Sequence, residues 1–213
     1  MAMACYATPD PLPRSRYNHG ELYAALRSPL AGAWPDLHVF PILLPLAPPG
    51  RQAPAAGFSL VASAMAPDSR GTVALASPDP KAPPLIDPGF LRDGRDLDRM
   101  EAGLTMIRRA AADAAFPRAT EAWPGPDVSD GAALRDYIRG ALTSYHHPSG
   151  TCRMGTDPGA VVDPELRVSG ITGLRIADAS VIPVIPNANT NATVLAIAEK
   201  AADLIAPAGS DPA

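Results

Sequence analysis

The chain has 213 residues, 46% of them hydrophobic and 19% charged, the balance of a globular protein rather than a disordered one. A formal charge of −4, a pI near 5.5 and the lack of any Lys/Arg block exclude a basic footprint for nucleic acid or anionic lipid, so neither partner is expected. Cys5 and Cys152 have neither a disulfide-framework nor a zinc spacing, which makes a reducing cytoplasm the expected compartment.

In chain order, "MAMACYATPD" has neither the basic start nor the sustained apolar run of a signal peptide. The N-terminal residues through "PRSRYNHG" read as a loose lead-in, and "ELYAALRS" as a short helix. "LHVFPILLPLAPPG", the longest apolar stretch, is too short and proline-broken to span a bilayer and reads as a strand and loop. "FSLVASAMA" and "GTVALAS", separated by the turn-forming "PDSR", predict a hairpin. Leu97, Met100, Leu104, Ile107 and Ala111 recur at helical spacing and predict a helix over about 97–115 with Asp96 as its cap. A second helix is predicted from near Ser129, with Leu134, Tyr137, Ile138 and Leu142 on one face. "LRIAD" (174–178) reads as a short buried strand, and the turn-rich "ASVIPVIPNAN" leads into a helix over about 189–205 that buries Val194, Ile197, Ala198, Ala201 and Leu204. The 26 prolines are spread along the chain and mark turns rather than repeats. The fold class is α+β.

The chemistry concentrates in "SYHHPSGTCRMG" (144–155). Adjacent His146 and His147 make a poor metal pair, because neighbouring side chains of an extended segment point to opposite faces and no third ligand stands at a ligand spacing; no metal is expected. Ser144 and Ser149 lack the G-x-S-x-G elbow of a Ser/His hydrolase. A histidine satisfied within its loop is the plain alternative to a catalytic one.

Three stretches change that balance: "SRGTVALASPDPKAPPLIDPGFL" (69–91), "YHHPSGTCRMG" (145–155) and "VVDPELRVSGITGLRIADASVIPVIPNANTNATVLAIAEKAADLI" (161–205). Together they resemble the glucose-methanol-choline oxidoreductases, flavoenzymes that oxidise alcohols, and the likeness runs from about residue 57 to 206. The resemblance implies an antiparallel sheet flanked by helices (the substrate domain), with a C-terminal strand, loop and helix that complete an FAD-binding domain. It implies FAD as cofactor, a small alcohol as substrate and an electron acceptor whose identity the motifs leave open. It places the catalytic histidine four residues before the Thr of Gly-Thr, at His147 rather than His146, and the second catalytic position at Asn189. The closing helix, at Thr190 and Asn191, matches the segment against the pyrimidine end of the isoalloxazine, and Asp178 and Ala179 match the segment beside the ribityl and diphosphate part of FAD. Cys152 and Met154 are expected to pack, and Arg153 to anchor the loop.

A general base near neutrality suits a reaction in which an alcohol loses its hydroxyl proton as its α-hydrogen leaves as hydride to flavin N5, and histidine is the side chain for that task. Asn189 can donate a hydrogen bond to the same oxygen, or serve as a helix cap. The dinucleotide fingerprint G-x-G-x-x-G does not occur in the sequence. The expected organisation is a lead-in and start of the substrate domain over 1–56, substrate domain over 57–143, histidine loop and FAD-domain segment over 144–206 and a tail over 207–213. An N-terminal Rossmann half is expected to be absent from the chain and supplied elsewhere, so that the chain alone retains little FAD. The competing expectation is a non-catalytic remnant that keeps the substrate-domain fold without flavin.

Overall fold

A computed structural model of the chain describes residues 1–13, 18–20, 22–113, 118–129 and 131–206. The backbone divides into two units, Met1–Gly71 with Pro88–Tyr145, and Thr72–Asp87 with the chain from His146 onward.

The first unit is built on a fully antiparallel sheet of β1 (Ala2–Ala7), β2 (Ala24–Leu26), β3 (Leu37–Ile42), β4 (Gly57–Ala64) and β7 (Thr120–Trp123), in the order β2-β3-β4-β1-β7. β4 is the hub, pairing Ala62 with Ala2 on one side and with Val39 on the other. Helix α1 (Gly94–Asp113) buries Leu97, Met100, Leu104, Ile107 and Ala111, and these join Ala2, Ala4, Tyr6, Phe58 and Ala62 of the sheet in one core. Burying such a stripe against a sheet is what stabilises an amphipathic helix, since propensity alone gives little. Gly103 permits the close approach: a Cβ there would stand 3.0 Å from the Ala62 Cβ and 3.3 Å from a Leu37 methyl. Helix α2 (Ala132–Ala141) adds Leu134 and Ile138 to the same core. The expectation of an antiparallel sheet flanked by helices holds.

Asp96 does not cap α1 as expected but sits inside its first turn. Its carboxylate accepts the amides of Asp68 and Ser69, both at 2.8 Å, and binds the Arg99 guanidinium at 2.9 Å. Arg99 also reaches Asp36 and Asp68, so the charges buried here are paired.

Other expectations are corrected. The lead-in residues Ala2–Ala7 form β1, an interior strand between β4 and β7, because a run of small and apolar residues can be buried on both faces; residues 14–17 lie outside the described residues. In the expected helix "ELYAALRS" the segment Ala24–Leu26 is instead an edge strand, where pairing with β3 overrides the helical preference of Ala and Leu. No hairpin joins 58–66 to 71–77: β4 pairs within the large sheet, while β5 (Thr72–Ala74) pairs with β6 (Leu85–Asp87) in a two-stranded ladder of the second unit. The end of α1 expected at 114–115 and the tail at 207–213 lie outside the described residues.

The second unit is mostly loop. Its core gathers Val162, Leu166, Val181 and Ala201, with Met154, Ile176, Ile197 and Leu204 packed against them. The strand expected at 174–178 is reduced to a single bridge between Arg175 and Arg167, flanked by turns in which Leu166, Gly170 and Gly173 have positive φ. The unit ends in α3 (Asn191–Ile205), of which only Ala201 is fully buried; Val194, Ile197 and Leu204 are half-buried, Ala198 is exposed, and Leu195 and Ile205 are 59% and 62% exposed.

Candidate active site

The loop after His147 is held by backbone pairing to the segment that follows Asp178. Gly150 N–H donates to the Ala179 carbonyl (3.3 Å), Cys152 to Ser180 (2.9 Å) and Met154 to Val181 (2.9 Å). Gly150 has φ +82°, and a Cβ there would stand 3.2 Å from the Ile182 carbonyl oxygen. A side chain at this position would strain the backbone and crowd the neighbouring segment, which is the local reason for glycine in "SGTCRMG". Arg153 pairs with Asp157 at 2.6 and 2.8 Å and so ties the loop to its own continuation, while Met154 packs on the unit core. Cys152 is a half-buried free thiol.

Ala179–Val181 forms a single 3-10 turn, capped by the Asp178 carboxylate, which accepts the Ser180 amide at 2.7 Å. Hydrogen bonds from Ser180 hold this exposed carboxyl below the usual carboxylate range. Ala179 is half-buried.

His147 is half-buried, and its Nδ1 lies 3.2 Å from the Thr190 hydroxyl. Thr190 is the buried residue at the start of α3, Asn189 before it is exposed, and Asn191 after it is exposed. Thus the structure brings His147 to the head of α3, across 43 residues of sequence, beside the position of Asn189. No side chain caps α3 and no acidic residue stands in its first turn. Its positive dipole end is therefore not neutralised from within the helix.

His146 is exposed and has φ +62°, in the left-handed region. The segment is not extended through His146, so the strict alternation of faces expected for the pair does not apply. Among the described residues no group of three or more His, Cys, Asp or Glu is placed to hold a metal ion, and no helix is long and apolar enough to cross a membrane. Recesses of about 480 Å³ along residues 167–175 and about 430 Å³ around Tyr6, Arg108 and Glu121 include none of His147, Asp178, Ala179, Asn189, Thr190 and Asn191. The contact that sequence reasoning missed is that of the Thr190 side chain, which was singled out only for its place in the closing helix; no spacing rule links it to His147.

The first unit is thus an antiparallel sheet with flanking helices, and in the second a histidine loop meets the head of α3. Residues 67–198 match the family model described as GMC oxidoreductase, and the chain belongs to that family. It is 44% identical over 155 residues to a choline oxidase of Arthrobacter globiformis, covering 70% of this chain and 28% of that protein. It is 43% identical over 154 residues to an alcohol dehydrogenase [acceptor] of Pseudomonas putida, covering 70% and 27%. Among solved structures, a pyridoxine 4-oxidase from Mesorbium loti superposes with a TM-score of 0.84 at 34% identity, covering 94% of this chain and 41% of that one. The chain thus spans well under half the length of these relatives.

Proposed function

We propose that the chain contributes the catalytic histidine loop and the closing flavin-side helix of an FAD-dependent enzyme that oxidises a small alcohol, acting with a dinucleotide-binding half. The observation that carries this reading is the His147–Thr190 contact at 3.2 Å, which sets a titratable ring at the head of an uncapped helix. Membership of a family whose relatives include a choline oxidase and an alcohol dehydrogenase supports the reaction class.

When bound, FAD supplies the two-electron acceptor for the hydrogen on the alcohol carbon. The chain's own residues handle the proton and the charge. His147 takes the hydroxyl proton: the O–H bond breaks, the proton ends on the imidazole, and the electron pair stays on oxygen. The Asn189 amide donates a hydrogen bond to that oxygen, which fixes its position and stabilises the charge that grows there. Backbone N–H groups at Thr190 and Asn191, with the positive end of α3, favour an electron-rich group at the head of the helix, and the absence of a side-chain cap or an acidic residue in that turn fits this role. An ionised carboxylate accepts hydrogen bonds from hydroxyls and repels phosphate, so in the segment of Asp178 and Ala179 the carboxylate of Asp178 suits the ribityl hydroxyls.

Rapid-mixing measurement of flavin reduction by an alcohol, in the protein assembled with its flavin-binding half, tests the assignment. His147→Ala should slow reduction by on the order of a hundredfold or more, the scale for losing a positioned general base. His146→Ala should cost far less. Equal losses would make the pair act together, and a larger loss at His146 would move the base by one residue.

A further inference from the structure

We infer that the aliphatic face of the β5–β6 ladder, centred on Val73 and Ile86, is a docking surface for the flavin-binding half of the enzyme; this rests on the proposed function above, which brings that half to the chain.

The ladder pairs Thr72 with Asp87, Val73 with Ile86 and Ala74 with Leu85. Side chains alternate along a strand, and residues opposite each other in an antiparallel pair share a face. Val73 and Ile86 therefore stand together on one face, 52% and 68% exposed, and Leu75, two residues beyond Val73, is 86% exposed. The other face carries Leu85 and Ala74 but also the polar pair Thr72 and Asp87. Every residue of both strands is exposed, so the described chain leaves both faces largely uncovered. Single exposed aliphatics are ordinary. A cross-strand aliphatic pair on a two-stranded ladder is not, because such a ladder is marginal in water until a hydrophobic face packs against something.

The size of the face decides between occupants. Stable complexes use about 20–30 residues a side, and three aliphatic side chains are too few to hold a second copy of the chain by themselves. They suit a partner that is held by other contacts as well. The flavin-binding half is such a partner, since in the proposed function it also meets the histidine loop and the head of α3, and these belong to the same unit as the ladder. That unit further exposes Val184, Leu195 and Ile205. The chain spans well under half the length of the relatives described above, which leaves room for a partner of that size. The charged residues of the connection, Asp79 and Lys81, lie outside the two strands, so the face offers apolar area and calls for an apolar surface on the partner.

The test measures association of the 213-residue chain with the flavin-binding half, expressed as a separate polypeptide, by analytical centrifugation. Val73→Lys and Ile86→Lys should each weaken association by about tenfold or more, because each removes buried aliphatic area and puts a charge in its place. Thr72→Lys, on the other face of the same ladder, should change it by no more than about twofold. Denaturant unfolding of each isolated variant should match the wild type, since all three positions are exposed before docking. Unchanged association in Val73→Lys and Ile86→Lys overturns the inference, and so does an equal loss in Thr72→Lys. Self-association of the isolated chain that Ile86→Lys abolishes would make a second copy the occupant and overturn it as well. Alcohol oxidation that survives His147→Ala, with the Val73 and Ile86 variants failing to dock, would overturn the proposed function and leave the docking surface standing.

Discussion

Gly150→Ala perturbs the loop that carries His147 at its most constrained point. With φ at +82°, an alanine would occupy the left-handed region, and its Cβ would stand 3.2 Å from the Ile182 carbonyl oxygen, close enough that the neighbouring segment must give way. Holding a non-glycine residue in such a conformation costs about 1–3 kcal/mol. If that cost falls on the three bonds joining 150, 152 and 154 to Ala179, Ser180 and Val181, local opening becomes easier by the same amount, and amide exchange there accelerates roughly fivefold to 150-fold. The assay is hydrogen exchange read at the Cys152 and Met154 amides, under conditions in which closing outpaces exchange. Gly170→Ala is the control: its φ is +78°, but nothing stands within 4 Å of the added Cβ, so its strain should leave those two amides unchanged. Unaltered exchange at Cys152 and Met154 in Gly150→Ala would refute the idea that this glycine lets the histidine loop pair with the turn after Asp178.

Leu104→Ala, a fully buried core position of α1, should destabilise the first unit by about 2–5 kcal/mol, measured by denaturant unfolding followed at signals of that unit; a loss below about 1 kcal/mol would show the core to be loosely packed. The Arg153 side chain, with the Gly159 amide, holds the Asp157 carboxyl far below the usual carboxylate range. A depressed carboxylate contributes stability that is present above its unfolded value, near 4, and is lost as pH falls through the lower folded value. Arg153→Ala should therefore return the NMR-observed Asp157 titration toward 4, and a titration that does not move would place the cause elsewhere. Purified by itself, the chain should show little flavin absorbance, because it lacks the glycine fingerprint that seats a diphosphate on a helix N-terminus; a stoichiometric yellow spectrum would contradict that expectation.

What the sequence made legible follows its periodicity. α1 and α2 were readable because Leu97, Met100, Leu104 and Ile107, and then Leu134 and Ile138, recur at helical spacing and all are buried. β1 was not, since "AMACYA" is buried along most of its length and carries no alternation to mark it as a strand. β2 was misread because Ala and Leu favour helices in isolation, and only pairing with Leu37–Val39 makes Ala24–Leu26 a strand. α3 was legible in extent, but its burial was overestimated: apolar residues on several faces announce a buried helix, whereas within this unit Leu195 and Ile205 face outward. In the candidate site, the choice of His147 and Asn189 came from the family likeness of "HPSGT" and "NTN". The meeting of His147 with Thr190 and the left-handed backbone at His146 depend on tertiary pairing that no local pattern encodes.

If His147 removes the alcohol's hydroxyl proton, the pH dependence of flavin reduction in the assembled protein must carry its titration. A base works only when unprotonated, so the rate should rise with pH through the titration of that group. One rising limb is expected in the wild-type protein and in His146→Ala, and its disappearance in His147→Ala, where the slow residual rate loses that dependence. A rising limb that persists unchanged in His147→Ala, or that vanishes in His146→Ala, would contradict it.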